Sequence, residues 1–347
     1  MNKGIIPAAA CDSAKIEQRL HSIRHALVKH ALPVLVLEAT SKCNLSCVYC
    51  GMHSKKISIE SHSLAKQHGK QLKHMELNLF SEIIDKCRGM EKFKVLYLHG
   101  NGEPLLNPHI VKMVEMARNL DIAEQVILVT NGVLLDRAMF RELSAAGVTS
   151  VRVSLDVISP RKYREVKGAD LVAKVLANID SCIDLVKEGC ASASLTILCV
   201  NPESKEYKEE TVGILEYFEP KIRNLPNVHI QYRELFNWVS SINRISAGGG
   251  YRRAVPCEQP FYLLMVHSDG DISMCCADTT KELILGNIKN SMRLQDVVEC
   301  GKLNVARRGL LKQDYEMIPA CEYCEVYSAV DQVLLKKHTE LLGLLRE

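Results

Sequence analysis

Val34-Leu35-Val36-Leu37-Glu38-Ala39, then Thr40-Ser41-Lys42, then Cys43-Asn44-Leu45-Ser46-Cys47-Val48-Tyr49-Cys50: an apolar run of strand length empties into a cysteine-rich loop. The first part reads as a buried β-strand, and Pro33 marks where it begins. The C-x3-C-x2-C spacing sets three thiolates within eight residues, enough to hold three irons of a cubane cluster. Iron–sulfur clusters are normally held by four Cys, so three leave one iron free to bind something other than protein. A cluster that must touch a substrate or cosubstrate needs that open iron; an electron-transfer cluster gains nothing from it. Zinc also suits closely spaced Cys, but zinc ribbons prefer paired C-x2-C knuckles, which favours iron here.

Outward from this loop, strand and helix patterns alternate. Ahead of it, Ile16, Leu20, Ile23 and Leu27 recur at helical spacing. After it, Phe80, Ile83, Ile84 and Cys87 share a helical face, and Lys94–His99 reads as a buried strand. Ile110, Met113, Val114 and Ala117 make the next helix, and Gln125–Thr130 the next strand. A helix through Met139, Phe140 and Leu143 closes at Gly147, before a strand at Ser150–Leu155. A longer helix from Val172 ends at Gly189, ahead of a strand at Ser192–Val200. A helix over Glu206–Phe218 leads to a strand at Val228–Glu234. Six βα-type repeats predict a parallel sheet with helices outside, whose ligands bind at the C-terminal strand ends. The polar, Gly-rich segments fall there: Ser41–Cys50, Gly100–Pro104, Thr130-Asn131-Gly132 and Ser154–Asp156.

The alternation stops at Ser246-Ala247-Gly248-Gly249-Gly250, and a turn-rich, Cys-bearing segment follows. The expected fold is therefore α/β: a partial (β/α)6 parallel barrel over 33–240, preceded by a helical extension over 1–32. A small C-terminal Cys-rich α+β module should occupy 250–328, and a C-terminal helix 329–347.

With 47% hydrophobic and 24% charged residues in 347, a sizeable core can form and disorder is not expected. A net charge of +3 gives no electrostatic case for nucleic acid or membrane binding. The N-terminal apolar patch breaks at Pro7, and no later segment reaches eighteen uninterrupted apolar residues, so a cytoplasmic protein is expected. Fourteen Cys then point to metal or redox chemistry rather than disulfides. Five of them, Cys257, Cys275, Cys276, Cys321 and Cys324, cluster late in the chain. Cys11, Cys87, Cys182, Cys190, Cys199 and Cys300 lack partners at ligand spacing and read as structural.

The remaining motifs each have an ordinary reading. Leu98-His99-Gly100-Asn101-Gly102-Glu103-Pro104 on its own is a strand-to-helix turn, though its glycines permit close backbone approach and Glu103 offers a carboxylate to an ammonium group. Thr130-Asn131-Gly132 and Ser154-Leu155-Asp156 on their own are turns or helix caps. Cys257, Cys275, Cys321 and Cys324 could hold a structural zinc. Cys276 reads first as a buried small hydrophobe. Tyr232, Arg233, Asn237 and Trp238 could line a substrate mouth, and the polar stretch His53–His74 a solvated excursion or lid.

Cys43, Cys47 and Cys50, with Tyr49 before the last, resemble the signature of radical S-adenosylmethionine (SAM) enzymes. The resemblance implies a 4Fe–4S cluster whose open iron binds the amino and carboxylate groups of SAM. Reductive cleavage of SAM would then give a 5′-deoxyadenosyl radical that abstracts a substrate hydrogen atom. Gly100, Gly102, Glu103 and Pro104 are similar to the family's Gly-Glu-Pro element, which binds the methionine amine. By the same resemblance Ser154 and Asp156 lie near the SAM carboxylate or ribose, and Asn131 lines the same mouth. The layout from Cys257 through Asp269-Gly270-Asp271-Ile272, Cys275-Cys276 and Gly286-Asn287-Ile288 to Cys321-Glu322-Tyr323-Cys324 looks like a SPASM/twitch extension of the one-cluster type. It implies one auxiliary 4Fe–4S cluster held by Cys257, Cys275, Cys321 and Cys324.

A cluster closed by four protein thiolates suits electron transfer. The expected reaction is therefore two-electron oxidation of a small polyol, sugar or cyclitol, with a flavodoxin- or ferredoxin-type reductant. The alternatives are a ribosomal-peptide-modifying maturase or epimerase, for which Cys276 would donate a hydrogen atom, and a non-catalytic zinc-binding protein. The residues ahead of the barrel look too short for a leader-binding domain, which counts against a peptide substrate.

Overall fold

The computed structural model describes residues 5–6, 13–55, 72–200, 205–233, 252–279, 281–290, 293–324 and 329–345. Cys11, most of the His-rich stretch after His53, Asn237, Trp238 and the glycine run at 246–250 lie outside the described residues.

Among the described residues, ten strands form one sheet in the order β1-β7-β6-β5-β4-β3-β2-β8-β9-β10. The six central strands are β2 (Val34–Leu37), β3 (Phe93–Leu98), β4 (Ala123–Thr130), β5 (Ser150–Ser154), β6 (Ser194–Val200) and β7 (Val228–Arg233). All pair in parallel with their sequence neighbours, in registers such as Leu35 opposite Leu96 and Val151 opposite Leu195. These are the strands the apolar runs predict. The helices between them cover the outer face: α2 (Leu77–Lys86), α3 (Ile110–Asn119), α4 (Arg137–Ala145), α6 (Val172–Lys187) and α7 (Lys205–Ile222).

Why the strands read as nearly continuous apolar runs is visible in their two faces. Leu35, Leu37, Leu96, Leu98, Val151 and Val153 pack outward into the main core with Phe80, Ile84, Phe140 and Ile179 of the helices. Val34 and Val36 point the other way, where Leu263 and Met265 meet them, with Val95 and Tyr97 alongside. Local signals fix the helix ends. The Asp136 carboxylate accepts from the Met139 amide at 2.8 Å to start α4.

The sheet goes beyond the barrel pattern at both edges. β1 (Ile5–Ile6) pairs in parallel with β7, in a segment expected to be only a helical extension. The helix of that extension is α1 (Ser13–Lys29). At the other edge β2 pairs not with β7 but with β8 (Leu263–Val266), again in parallel, so the six-strand arc stays open. β9 (Asp271–Ser273) and β10 (Ile284–Asn287) follow in antiparallel order. The cysteine module is thus an extension of the barrel sheet rather than a separate body. α5 (Pro160–Lys167), absent from the sequence reading, follows β5; it begins with Pro and ends at Gly168 in the left-handed region (φ 78°). The C-terminal tail is two helices, Ala329–Lys336 and His338–Leu344, and Arg24 of α1 pairs with Glu340 at 2.7 Å. Among the described residues, no helix is long and apolar enough to cross a membrane.

Glu38, one residue beyond β2, joins barrel and module. Its buried carboxylate accepts from the Asn101 amide at 3.1 Å, and from the amide and hydroxyl of Ser268 at 2.9 Å each. Burial opposes its ionisation, but His267 (Nδ1 at 3.8 Å) and the Ser268 and Asn101 amides outweigh it and hold the carboxyl well below its usual range. The ionised form is therefore the one that folding favours. Its contribution is fully present above the ordinary carboxylate pKa and is lost as pH falls toward the depressed folded value. The Glu38→Gln variant should unfold about 2–4 kcal/mol more easily at neutral pH, because an amide must turn donors toward donors. Urea denaturation of the metal-free protein checks this, and the gap should narrow on acidification below the ordinary carboxylate range.

Candidate active site

The cysteine loop is fixed from both sides. From below, α5 presents its last carbonyls: the Ser46 amide donates to Lys167 O (3.2 Å) and the Val48 amide to Val166 O (2.9 Å). From the flank, Ser54 Oγ donates to Val48 O at 2.9 Å, and the His53 amide points at Cys50 Sγ at 3.3 Å. The second motif folds onto the same loop. The Glu103 amide donates to Lys42 O at 2.8 Å, and a Cβ on Gly102 would run into the carbonyl oxygens of Thr40 and Lys42. Gly102 therefore has to be glycine for the two strand ends to meet.

Glu103 is buried, and its carboxylate accepts from the Leu105 amide (3.1 Å), Thr130 Oγ1 (2.7 Å) and the Asn131 amide (2.7 Å). Burial dominates and raises its pKa in spite of these donors. All three donors are neutral, so the site suits a cationic ligand group, which would restore the ionised form. Asn131 Nδ2 donates to Asn44 Oδ1 at 2.7 Å, tying the third strand end to the cysteine loop.

Behind Tyr49 lies a buried group that the sequence reading missed. Lys167 Nζ donates to Tyr49 Oη (2.9 Å), to Ser154 O (3.1 Å) and to the Asp156 carboxylate, which also accepts from the Tyr49 hydroxyl. Burial works against the charge on Lys167, but Asp156, Tyr49 and Cys47 more than offset it and raise its pKa. The available signal was a Lys-Gly pair ending a short polar helix. Asp156 itself sits at positive φ (63°) and is almost fully buried. It therefore acts behind the wall rather than on it.

A cavity of about 500 Å3 opens over these groups, a volume ordinary for a small-molecule site. Cys43, Cys47, Tyr49, Cys50, Gly100, Gly102, Glu103, Asn131 and Ser154 all line it; Pro104 and Asp156 do not. Cys276 of the module lines it too, together with Gln259 and Tyr262. Burial pushes the Cys43 thiol up to about 12, with Glu103, Cys47 and Cys50 adding repulsion. A protonated thiol becomes a ligand only when a metal cation displaces its proton, as iron does.

Cys257, Cys275, Cys321 and Cys324 of the module are all buried and none is in a disulfide, and charge on Cys324 acts on each of the other three. Burial and then the Cys324 charge push Cys321 up to about 12; burial, Cys276 and Cys257 raise Cys275. Four thiols are the donor set of one 4Fe–4S cluster. Cys87, Cys182 and Cys199 sit in the core.

Arg253, a further residue that spacing did not reveal, braces this set. It is buried and donates to Val255 O (2.8 Å), Cys324 O (3.3 Å), Pro256 O (3.1 Å) and Asp331 Oδ2 (2.7 Å). Asp331 Oδ1 accepts from the Glu258 amide at 3.0 Å, so the C-terminal helix pair is tied to the Cys257 loop.

An open parallel arc with a three-thiol loop after its first strand, and a four-thiol extension at its edge, defines a cluster-bearing α/β enzyme scaffold. The chain belongs to the radical SAM superfamily, whose model matches residues 37–215, about half of the chain. An iron–sulfur cluster-binding domain, SPASM, matches residues 257–325. Its cofactors are accordingly a 4Fe–4S cluster with SAM, and auxiliary iron–sulfur binding at the C-terminal module.

Among curated proteins it is similar to a GTP 3′,8-cyclase of Alkaliphilus oremlandii, 30% identical over 184 residues, covering 51% of each chain. It is likewise similar to a probable GTP 3′,8-cyclase of Methanococcus vannielii, 30% identical over 201 residues, covering 56% of this chain and 61% of that one. The chain thus spans only about half to three-fifths of the length of these relatives. Among solved structures it resembles BtrN in complex with AdoMet and 2-DOIA (TM-score 0.55, 18% identity, 86% of this chain and 94% of that one). It also resembles anSMEcpe with bound AdoMet (TM-score 0.58, 16% identity, 89% and 95%). At those identities the likeness speaks for the fold alone.

Two variants separate the two thiol sets. Gly102→Ala should displace the Thr40–Cys43 backbone and cut reconstituted iron from about eight to about four per chain, with the auxiliary signal retained by electron paramagnetic resonance. Arg253→Met removes the guanidinium that neutralises the buried Asp331 carboxylate and should cost about 3–5 kcal/mol in denaturant unfolding.

Proposed function

We propose that this radical SAM enzyme carries out a two-electron oxidation of a small polyol, sugar or cyclitol, with the auxiliary cluster accepting the second electron. One observation carries the reading: a single cavity is lined by Cys43, Cys47 and Cys50 and also by Cys276, the chain neighbour of Cys275. A molecule held there meets the first thiol set directly and the second across Cys276. When bound, the cluster and SAM supply a carbon-centred radical able to take a hydrogen atom from an unactivated C–H bond.

The chain's own residues do the rest. Cys43, Cys47 and Cys50 hold the first cluster; Cys257, Cys275, Cys321 and Cys324 hold the second. Glu103 receives the methionine ammonium, with Gly100 and Gly102 allowing close approach and Pro104 setting the turn. Ser154 faces the carboxylate or ribose, and Asn131 lines the same mouth. Asp156 serves them indirectly, by fixing Tyr49 and Lys167 under the loop. Tyr97, His99, Asn101, Gln231 and Gln259 offer the wall polar groups for hydroxyls. A flavodoxin- or ferredoxin-type protein supplies the starting electron.

Anaerobic reconstitution tests this. Reduction in the presence of SAM should release 5′-deoxyadenosine, and a turned-over substrate should consume one SAM per product. Cys276→Ala should leave turnover in place. Loss of turnover in Cys276→Ala together with solvent deuterium in the product would instead identify an epimerase acting on a peptide. A colourless protein containing only zinc would end the enzymatic reading.

A further inference from the structure

The cavity wall carries four charged side chains among the described residues: Arg19, Glu103, Arg152 and Lys167. Three are matched. Lys167 has Asp156, Glu103 has its three donors, and Arg19 Nε lies 3.3 Å from Glu258 Oε2, with its guanidinium 3.4 Å from the centre of the Tyr262 ring. Arg152 is not. Among the described residues its one hydrogen bond is Nη1 to Tyr97 Oη at 3.5 Å, the outer limit of such a bond. Its Nε is buried with no hydrogen-bond partner, and it forms no ion pair among the described residues. The guanidinium lies 5.7 Å from the Tyr97 ring, which limits its swing.

Arginine stays protonated in proteins, and an unmatched cation with a buried donor costs free energy until an anion arrives. The strand pattern shows where that anion would sit. Arg152 shares the inner face of β5 with Ser154, two residues closer to the strand's N-terminal end. Two residues of strand span roughly 6–7 Å, so the guanidinium lies deeper in the lumen than the level read as contacting SAM. Arg19 Nη1, also buried and without a hydrogen-bond partner, adds a second open donor to the same cavity.

We propose that Arg152 anchors an oxyanion, carboxylate or phosphate, carried by the substrate, so that the oxidised polyol or sugar is an acid or a phosphate ester. A planar guanidinium binds either group through two parallel hydrogen bonds. This rests on the reading of the cavity as the substrate chamber.

The test uses the anaerobically reconstituted full chain with saturating SAM, so that the SAM carboxylate is already placed. Calorimetric titration compares inorganic phosphate, glucose 6-phosphate and glucuronate with neutral glucose and myo-inositol, for the wild type, Arg152→Gln and Arg152→Lys. The oxyanion probes should bind the wild type more tightly than the neutral ones. They should weaken about tenfold or more in Arg152→Gln and recover in part in Arg152→Lys. Glucose 6-phosphate and glucuronate separate the phosphate from the carboxylate source, and preference for either supports the proposal. Equal binding of charged and neutral probes, or unchanged oxyanion binding in Arg152→Gln, would overturn it. A separate titration of SAM into the same three proteins that showed the only loss would also overturn it, by assigning the guanidinium to SAM. Formation of 5′-deoxyadenosine from SAM alone is scored separately: its failure would sink the enzymatic reading while leaving the oxyanion site standing or falling on the titrations.

Discussion

The Glu38 carboxylate is the joint on which the architecture turns. It sits where β2 ends, takes the Asn101 amide from the loop after β3 and takes Ser268 from the turn after β8. Three strand ends are thereby held by one buried charge. Everything that lines the cavity is measured from those ends. The cysteine loop leaves β2, the Gly-Glu-Pro segment leaves β3, and Ser268 follows the module's first strand. A neutral residue could fill the space, but it could not satisfy three donors at once.

The same economy recurs at each site. Lys167 with Asp156 and Tyr49, Arg253 with Asp331, and Glu103 with its amide and hydroxyl donors are buried polar groups whose partners come from distant segments. Each links a thiol-bearing loop to a rigid element. Clusters impose fixed ligand positions, and loops alone would hold them loosely; charged braces anchored in helices supply the stiffness.

Much of this was legible in the sequence. The six parallel strands and their helices follow from apolar periodicity, because both faces of such strands are buried and the pattern is local. The three-thiol loop is marked by its close spacing, whereas the four-thiol set is marked only by its resemblance to a SPASM/twitch layout. The braces were not legible: Lys167, Arg253 and Arg152 are ordinary basic residues until the fold buries them. Arg152 left a trace, a charge on the inner alternation of β5. Glu38 left another, an acid at the end of an apolar strand. The pairing of β2 with β8 left none, because strand partners far apart in sequence carry no local mark. Asp156 shows the opposite limit. Its motif marked it as part of the site, but only the backbone turn at positive φ reveals that it faces inward.

That distant pairing has a bearing on how the protein is made. The Glu38–Ser268 contact joins positions 230 residues apart, and β2 has β8 as its second neighbour. While the chain is being synthesised, β2 emerges early and keeps one edge bare until the module's first strand appears. The segment that carries Cys43, Cys47 and Cys50 leaves that unfinished strand. A chain truncated before residue 263 would leave β2, the strand from which the Cys43–Cys50 loop departs, without its second partner and with an open edge.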